Sequence, residues 1–141
     1  MRDIDARDPE HPTCHALLEA LQAHQTPLIC PQILLPEVAG AVRRTWQDAL
    51  RGRLAAQFVS ELPNLTLVAV DAALAQEATE LAADYALRGM DAIYVAVARR
   101  HGCTLVTLDD DPHRRAGAVV TVLTPADALA RIAPPASGSA V

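Results

Sequence analysis

Four short apolar runs, residues 27–30, 65–68, 103–108 and 119–123, are divided by segments that carry the spacing of amphipathic helices. Strands joined through a helix cannot turn back as hairpins, so each connection crosses over and the strands run parallel. The order therefore predicts α/β architecture, a mostly parallel sheet covered by helices. The 141-residue chain is 51% hydrophobic, enough for one core. Aromatics are only 3%, so that core has to be built from Ala, Val, Leu and Ile.

The helical segments are individually legible. A first helix is expected over about 13–24, with Leu17, Leu18 and Leu21 as its apolar stripe. A second starts near 34–37 and turns Val38, Ala41 and Val42 inward; a third, over 48–62, puts Leu50, Leu54, Phe58 and Val59 on one face. Asp71 is placed to cap a long helix that ends near residue 86. Gly89 precedes a helix over 91–101, which Gly102 ends, and a short helix is expected over 125–132. Residues 1–132 read as one domain with an irregular start over 1–10, and 133–141, rich in Pro, Ser and Gly, as a disordered tail.

A net charge of −5 argues against nucleic-acid binding through bulk positive charge, and all 12 basic residues are Arg. Three cysteines far apart, Cys14, Cys30 and Cys103, do not form a disulfide framework and are expected to be reduced. With no apolar run of membrane-spanning length and no signal-peptide pattern, the protein is expected to be cytoplasmic, away from the membrane.

Four acids sit where strands end and helices begin: Glu37, Asp91, Asp109 and Asp111. Ligands of parallel sheets bind beyond the carboxyl ends of the strands, so these positions share one edge. Oxygen donors gathered there suit Mg²⁺ or Mn²⁺ and phosphoryl chemistry. Each acid also has a structural alternative. Asp91 could cap its helix, Glu37 could complement a helix dipole, and one of Asp109 and Asp111 could cap a short helix over 112–115.

Three segments carry a family resemblance. Leu34-Leu35-Pro36-Glu37-Val38-Ala39-Gly40-Ala41-Val42-Arg43-Arg44 resembles the second conserved block of PIN-domain nucleases. Gly89-Met90-Asp91-Ala92-Ile93-Tyr94-Val95-Ala96-Val97-Ala98 resembles the third, and Leu105-Val106-Thr107-Leu108-Asp109-Asp110-Asp111 the fourth. Order and spacing agree from about Arg7 to Ala130, and the likeness is greatest to the toxin nucleases of VapBC-type toxin–antitoxin pairs.

The resemblance implies a three-layer α/β/α PIN-like domain and Mg²⁺- or Mn²⁺-dependent hydrolysis of RNA that leaves 3′-hydroxyl and 5′-phosphate ends. It implies that Glu37, Asp91 and Asp109 are catalytic metal-binding acids, with Asp111 as an accessory metal ligand and Thr107 supporting the cluster. It further implies a VapB-like antitoxin as partner and a homodimer. The opening of the chain departs from the pattern. PIN domains begin with an apolar strand ending in an aspartate, whereas here only Ile4 could supply a strand core, and Asp5 lies too close to His11. The first strand and first acid therefore read as missing. The consequence is either a weak nuclease or an inactive PIN domain that binds RNA or a protein.

Other features are less specific. His11, Cys14 and His15 have the helical spacing of part of a zinc site, but no fourth ligand is evident. Arg114 and Arg115, just past the acidic turn, are the best placed of three Arg pairs to contact RNA phosphate; Arg43-Arg44 and Arg99-Arg100 are the others. Each pair could equally be a solvated helix face. Trp46 could stack a base, pack, or meet a second copy.

Overall fold

The computed structural model describes residues 8–132. The expectations for Ile4, Asp5 and the opening strand, and for the tail over 133–141, lie outside them. The elements follow in the order α1 (His11–Ala23), β1 (Leu28–Pro31), α2 (Leu34–Trp46), α3 (Ala49–Ser60), β2 (Leu65–Val68) and α4 (Ala72–Tyr85). Then come α5 (Gly89–His101), β3 (Leu105–Val106), α6 (Asp110–Ala116), β4 (Val122–Leu123) and α7 (Pro125–Ile132).

All strand pairing among the described residues is parallel, as the crossover argument requires. β1 pairs with β2, Leu28 opposite Leu65, and β3 pairs with β4, Leu105 opposite Val122. Among the described residues the two pairs are separate two-stranded sheets, not one continuous sheet. Side-chain alternation along the strands sends neighbours to opposite faces. Ile29 and Val122 join a core formed by Leu74, Ala78 and Leu81 of α4 with Ala92, Val95, Ala96 and Val97 of α5. Leu28 and Leu123 join a second cluster with Leu17 and Leu21 of α1 and Ala128 of α7. Each cluster thus takes residues from both strand pairs, and helices cover both faces in an α/β/α arrangement.

Local chemistry explains most boundaries. Asp71 caps α4 as expected, accepting the Leu74 N–H at 2.7 Å. Asp48 caps α3 through the N–H groups of Leu50 and Arg51. Gly102 ends α5 in the left-handed region at φ 62°, a conformation that glycine adopts without strain. Asn64 ties the start of β2 to the chain entering β1, its amide donating to the Thr26 carbonyl at 2.9 Å.

Three expectations need correction. The run over 103–108 forms a strand only at Leu105 and Val106, and the last strand is confined to Val122 and Leu123. Leu18 lies at the exposed edge of α1, outside the buried stripe of Leu17 and Leu21. On α3 the stripe Leu50, Leu54 and Phe58 faces outward, at 57%, 53% and 66% exposure. The reason is Gly52, which is buried against α2: a Cβ there would lie 2.7 Å from the Ala39 carbonyl oxygen. That close approach turns the opposite face of α3 to the outside.

Gly52→Ala tests this packing. Helix propensity alone favours alanine by about 1 kcal/mol, but the overlap with backbone is expected to reverse the sign. A net loss of about 1–3 kcal/mol in urea unfolding is the expected result.

Candidate functional site

Glu37 lies in the first turn of α2, just beyond β1. Asp91 lies in the first turn of α5, where Arg88 holds the cap position. Asp91 is therefore the third residue of the helix and not its N-cap, though a carboxylate in the first turn still complements the helix dipole. The two helices meet through a residue that sequence reasoning passed over. The Tyr94 hydroxyl donates to Glu37 Oε2 at 2.5 Å. Tyr94 is one turn past Asp91, and helical side chains lean towards the N-terminus. The Glu37 carboxylate is thereby held at the Asp91 end of α5. A signal was available: the chain has only two tyrosines, and this one stands in a run of Ala and Val three residues after a candidate acid.

The surroundings of Tyr94 are partly dry. Burial, the hydrogen bond to Glu37 and that carboxylate's charge hold its hydroxyl far above the usual tyrosine range, so it remains a proton donor. Cys30 of β1 belongs to the same neighbourhood. Burial, with a smaller contribution from Cys103, pushes its thiol up to about 11.

Asp109 holds the N-cap position of α6, but its side chain makes no capping hydrogen bond. Its carboxylate is exposed, and its N–H donates to Thr107 Oγ1 at 3.1 Å. Thr107 itself is fixed to the strand pair, its N–H donating to the Leu123 carbonyl at 3.0 Å. Asp111 follows in α6, and its side chain lies outside the described residues, as do those of Pro112 and His113.

The structure thus links Glu37 to the helix of Asp91 and sets Asp109 on Thr107 at the end of β3. Among the described residues no group of three His, Cys, Asp or Glu side chains is placed to hold a metal ion. That includes His11, Cys14 and His15; the two histidine rings stack at 5.6 Å instead. The donor set remains suited to a hard divalent cation. Mg²⁺ keeps several waters and is commonly held by one or two carboxylates with substrate phosphate, without a closed protein cage.

The arginine pairs separate. Arg100 donates to Glu77 Oε1 at 2.9 Å and lies 4.0 Å from Asp71, with Arg99 at 3.9 Å from Glu77. That pair ties α5 to α4. Arg114 and Arg115 are exposed on α6 beside the acidic turn, and Arg114 Nε donates to the Asp110 carbonyl at 3.4 Å. Asp91 also borders an open, mainly apolar cleft of about 820 Å³ between α4 and α5, lined by Ala78, Ala82, Arg88 and Met90.

A sequence profile of the PIN domain family matches residues 3–118. This chain is a PIN domain. PIN domains are in general nucleases that use divalent metal ions, and Glu37, Asp91 and Asp109 of this PIN domain stand at the starts of α2, α5 and α6. Among curated proteins, none matches it. No helix of its described residues is long and apolar enough to cross a membrane.

Two outcomes follow from the Tyr94 neighbourhood. Tyr94→Phe removes the donor to Glu37 and is expected to lower stability by about 1–2 kcal/mol in urea unfolding. At pH 8 the thiolate fraction of a group near 11 is about a hundredfold below that of one at 9.0. Peptide mapping after iodoacetamide treatment should find Cys30 labelled slowly by about that factor relative to an unfolded control.

Proposed function

We propose that this PIN domain is a Mg²⁺- or Mn²⁺-dependent endoribonuclease, the toxin of a VapBC-type pair. In this reading it acts in the cytoplasm as a homodimer restrained by a VapB-like antitoxin. The observation that supports the nuclease reading is the hydrogen bond from Tyr94 to Glu37, which ties one candidate acid to the helix whose first turn carries Asp91.

Glu37, Asp91 and Asp109 would hold the cation, with Asp111 as accessory ligand. When bound, the cation supplies a water of lowered pKa and offsets charge on the phosphate. The chain's own residues do the positioning. Tyr94 fixes one Glu37 oxygen, leaving the other for the cation or its water. Thr107 steadies the start of α6 through the Asp109 N–H. Arg114 and Arg115 stand where the backbone of a bound RNA could meet guanidinium forks. Exposure of Asp109 suits a substrate as extended as single-stranded RNA.

One observation favours a second reading, a PIN domain that is catalytically weak or inactive and binds RNA or a protein. The described carboxylates gather no group of three that could hold a metal.

Cleavage of single-stranded RNA by the full chain with Mn²⁺ or Mg²⁺, and with EDTA as control, separates the two. The nuclease reading expects metal-dependent cleavage that leaves 5′-phosphate ends. Asp91→Asn should lower the rate at least about 100-fold, roughly 2.7 kcal/mol of barrier. A folded chain that binds RNA without cutting it in either metal would support the second reading.

A further inference from the structure

The nuclease reading leaves the open cleft between α4 and α5 without a role, although Asp91 borders it. Its volume of about 820 Å³ is in the range of cavities that take small organic ligands. Ala75, Ala78 and Ala82 of α4 follow one another along one side at helical spacing, and Met90 and Ile93 of α5 stand along the other. At Gly89 the mouth is open, since a Cβ there would meet nothing within 4 Å.

Charge and polarity narrow the occupant. Of the described residues that line the cleft only Arg88 and Asp91 are charged, one of each sign, so an ionic ligand gains little inside it. The aliphatic walls suit a flat apolar face. Met90 is 43% exposed at the start of α5, and its thioether makes favourable contacts with aromatic rings. Arg88 is exposed and has no ion pair among the described residues, so its guanidinium is available to a ring face or a phosphate. Thr79 supplies a polar edge. Its hydroxyl donates to the Ala75 carbonyl at 2.8 Å, which leaves the oxygen as an acceptor.

We propose that this cleft receives an unpaired RNA base that carries an exocyclic amine, next to the phosphate being cut. That the ring belongs to RNA rests on the nuclease reading; the fit to a flat, amine-bearing ring does not. In that reading Asp91 holds the cation at the scissile phosphate, so a base in the cleft beside it belongs to an adjoining nucleotide. The ring lies against Met90 and the alanines, its amine donates to Thr79 Oγ1, and Arg88 meets the backbone phosphate at the mouth. Adenine, cytosine and guanine bring such an amine, and uracil does not. A second copy of the chain is a poorer occupant. Stable interfaces bury about 800 Å² on each partner, and of the described residues lining the cleft Met90 is the one large apolar side chain that is exposed.

Adenosine 5′-monophosphate, inosine 5′-monophosphate and ribose 5-phosphate separate these contacts, since the second lacks the amine and the third lacks the base. Each is titrated in EDTA into the full isotope-labelled chain, and the amide signals of Thr79, Gly89 and Met90 are followed by NMR. The expected result is saturable shifts with adenosine monophosphate, binding of the inosine compound about tenfold weaker, and no shifts with ribose 5-phosphate. Thr79→Val should remove the preference for the amine. Ala75→Phe should fill the cleft and abolish binding, with circular dichroism unchanged in both variants because both positions are exposed. No shifts, equal shifts with ribose 5-phosphate, equal affinity for the two nucleotides, or indifference to either substitution overturns the proposal. So does a dimer that Ala75→Phe dissociates, since a second copy then fills the cleft. Cleavage is not read, so an inactive chain that binds adenosine monophosphate leaves the base site standing, and a chain that cuts RNA but binds neither nucleotide overturns the base site alone.

Discussion

A helix of small residues carries the rest of this molecule. Ala92, Val95 and Ala96 of α5 are fully buried, and their short side chains let the helix lie close against its neighbours. Residues of β1, β2, β3 and β4 pack into the same cluster, although the two strand pairs share no ladder among the described residues. Hydrogen bonds hold each pair together, and apolar burial against α5 and α4 holds the pairs to each other. Arg100 then locks α5 to α4 through Glu77. The first turn of this central helix presents Asp91, and its second holds Glu37 through Tyr94, so the candidate site inherits its geometry from the core.

Charge in this PIN domain is unevenly divided along the chain. Acids stand at the starts of α2, α5 and α6, where helix dipoles ease the presence of negative charge. The α2–α3 hairpin holds four arginines, Arg43, Arg44, Arg51 and Arg53, between Glu37 at its start and Glu61 at its end, with Asp48 between the helices.

Local rules read well from the sequence. Asp71 and Gly102 act as cap and stop where expected, since both effects depend on a few neighbouring residues. The PIN blocks located Glu37, Asp91 and Asp109 at helix starts, because block spacing reflects where helices follow strands. What failed was long-range. Periodicity grouped Leu50, Leu54 and Phe58 on one face but could not tell which face met α2; Gly52 decides that, through a carbonyl thirteen residues earlier in the chain. Apolarity predicted six strand residues over 103–108, whereas ladder length depends on a partner strand, and β4 offers two residues. Tyr94 went unnoticed because its role exists only once α2 and α5 are neighbours.

The unequal strand pairs divide the molecule mechanically. β1 and β2 pair over four residues and β3 and β4 over two, with matching amide bonds at both ends of each, from Leu28 and Gln32 in the first and from Leu105 and Thr107 in the second. Local opening is easiest where few hydrogen bonds must break together. Glu37 follows the longer ladder in the chain and Asp109 the shorter one, while Asp91 stands on α5, which packs against both. Amide exchange is therefore expected to be faster along β3 and β4 than along β1 and β2.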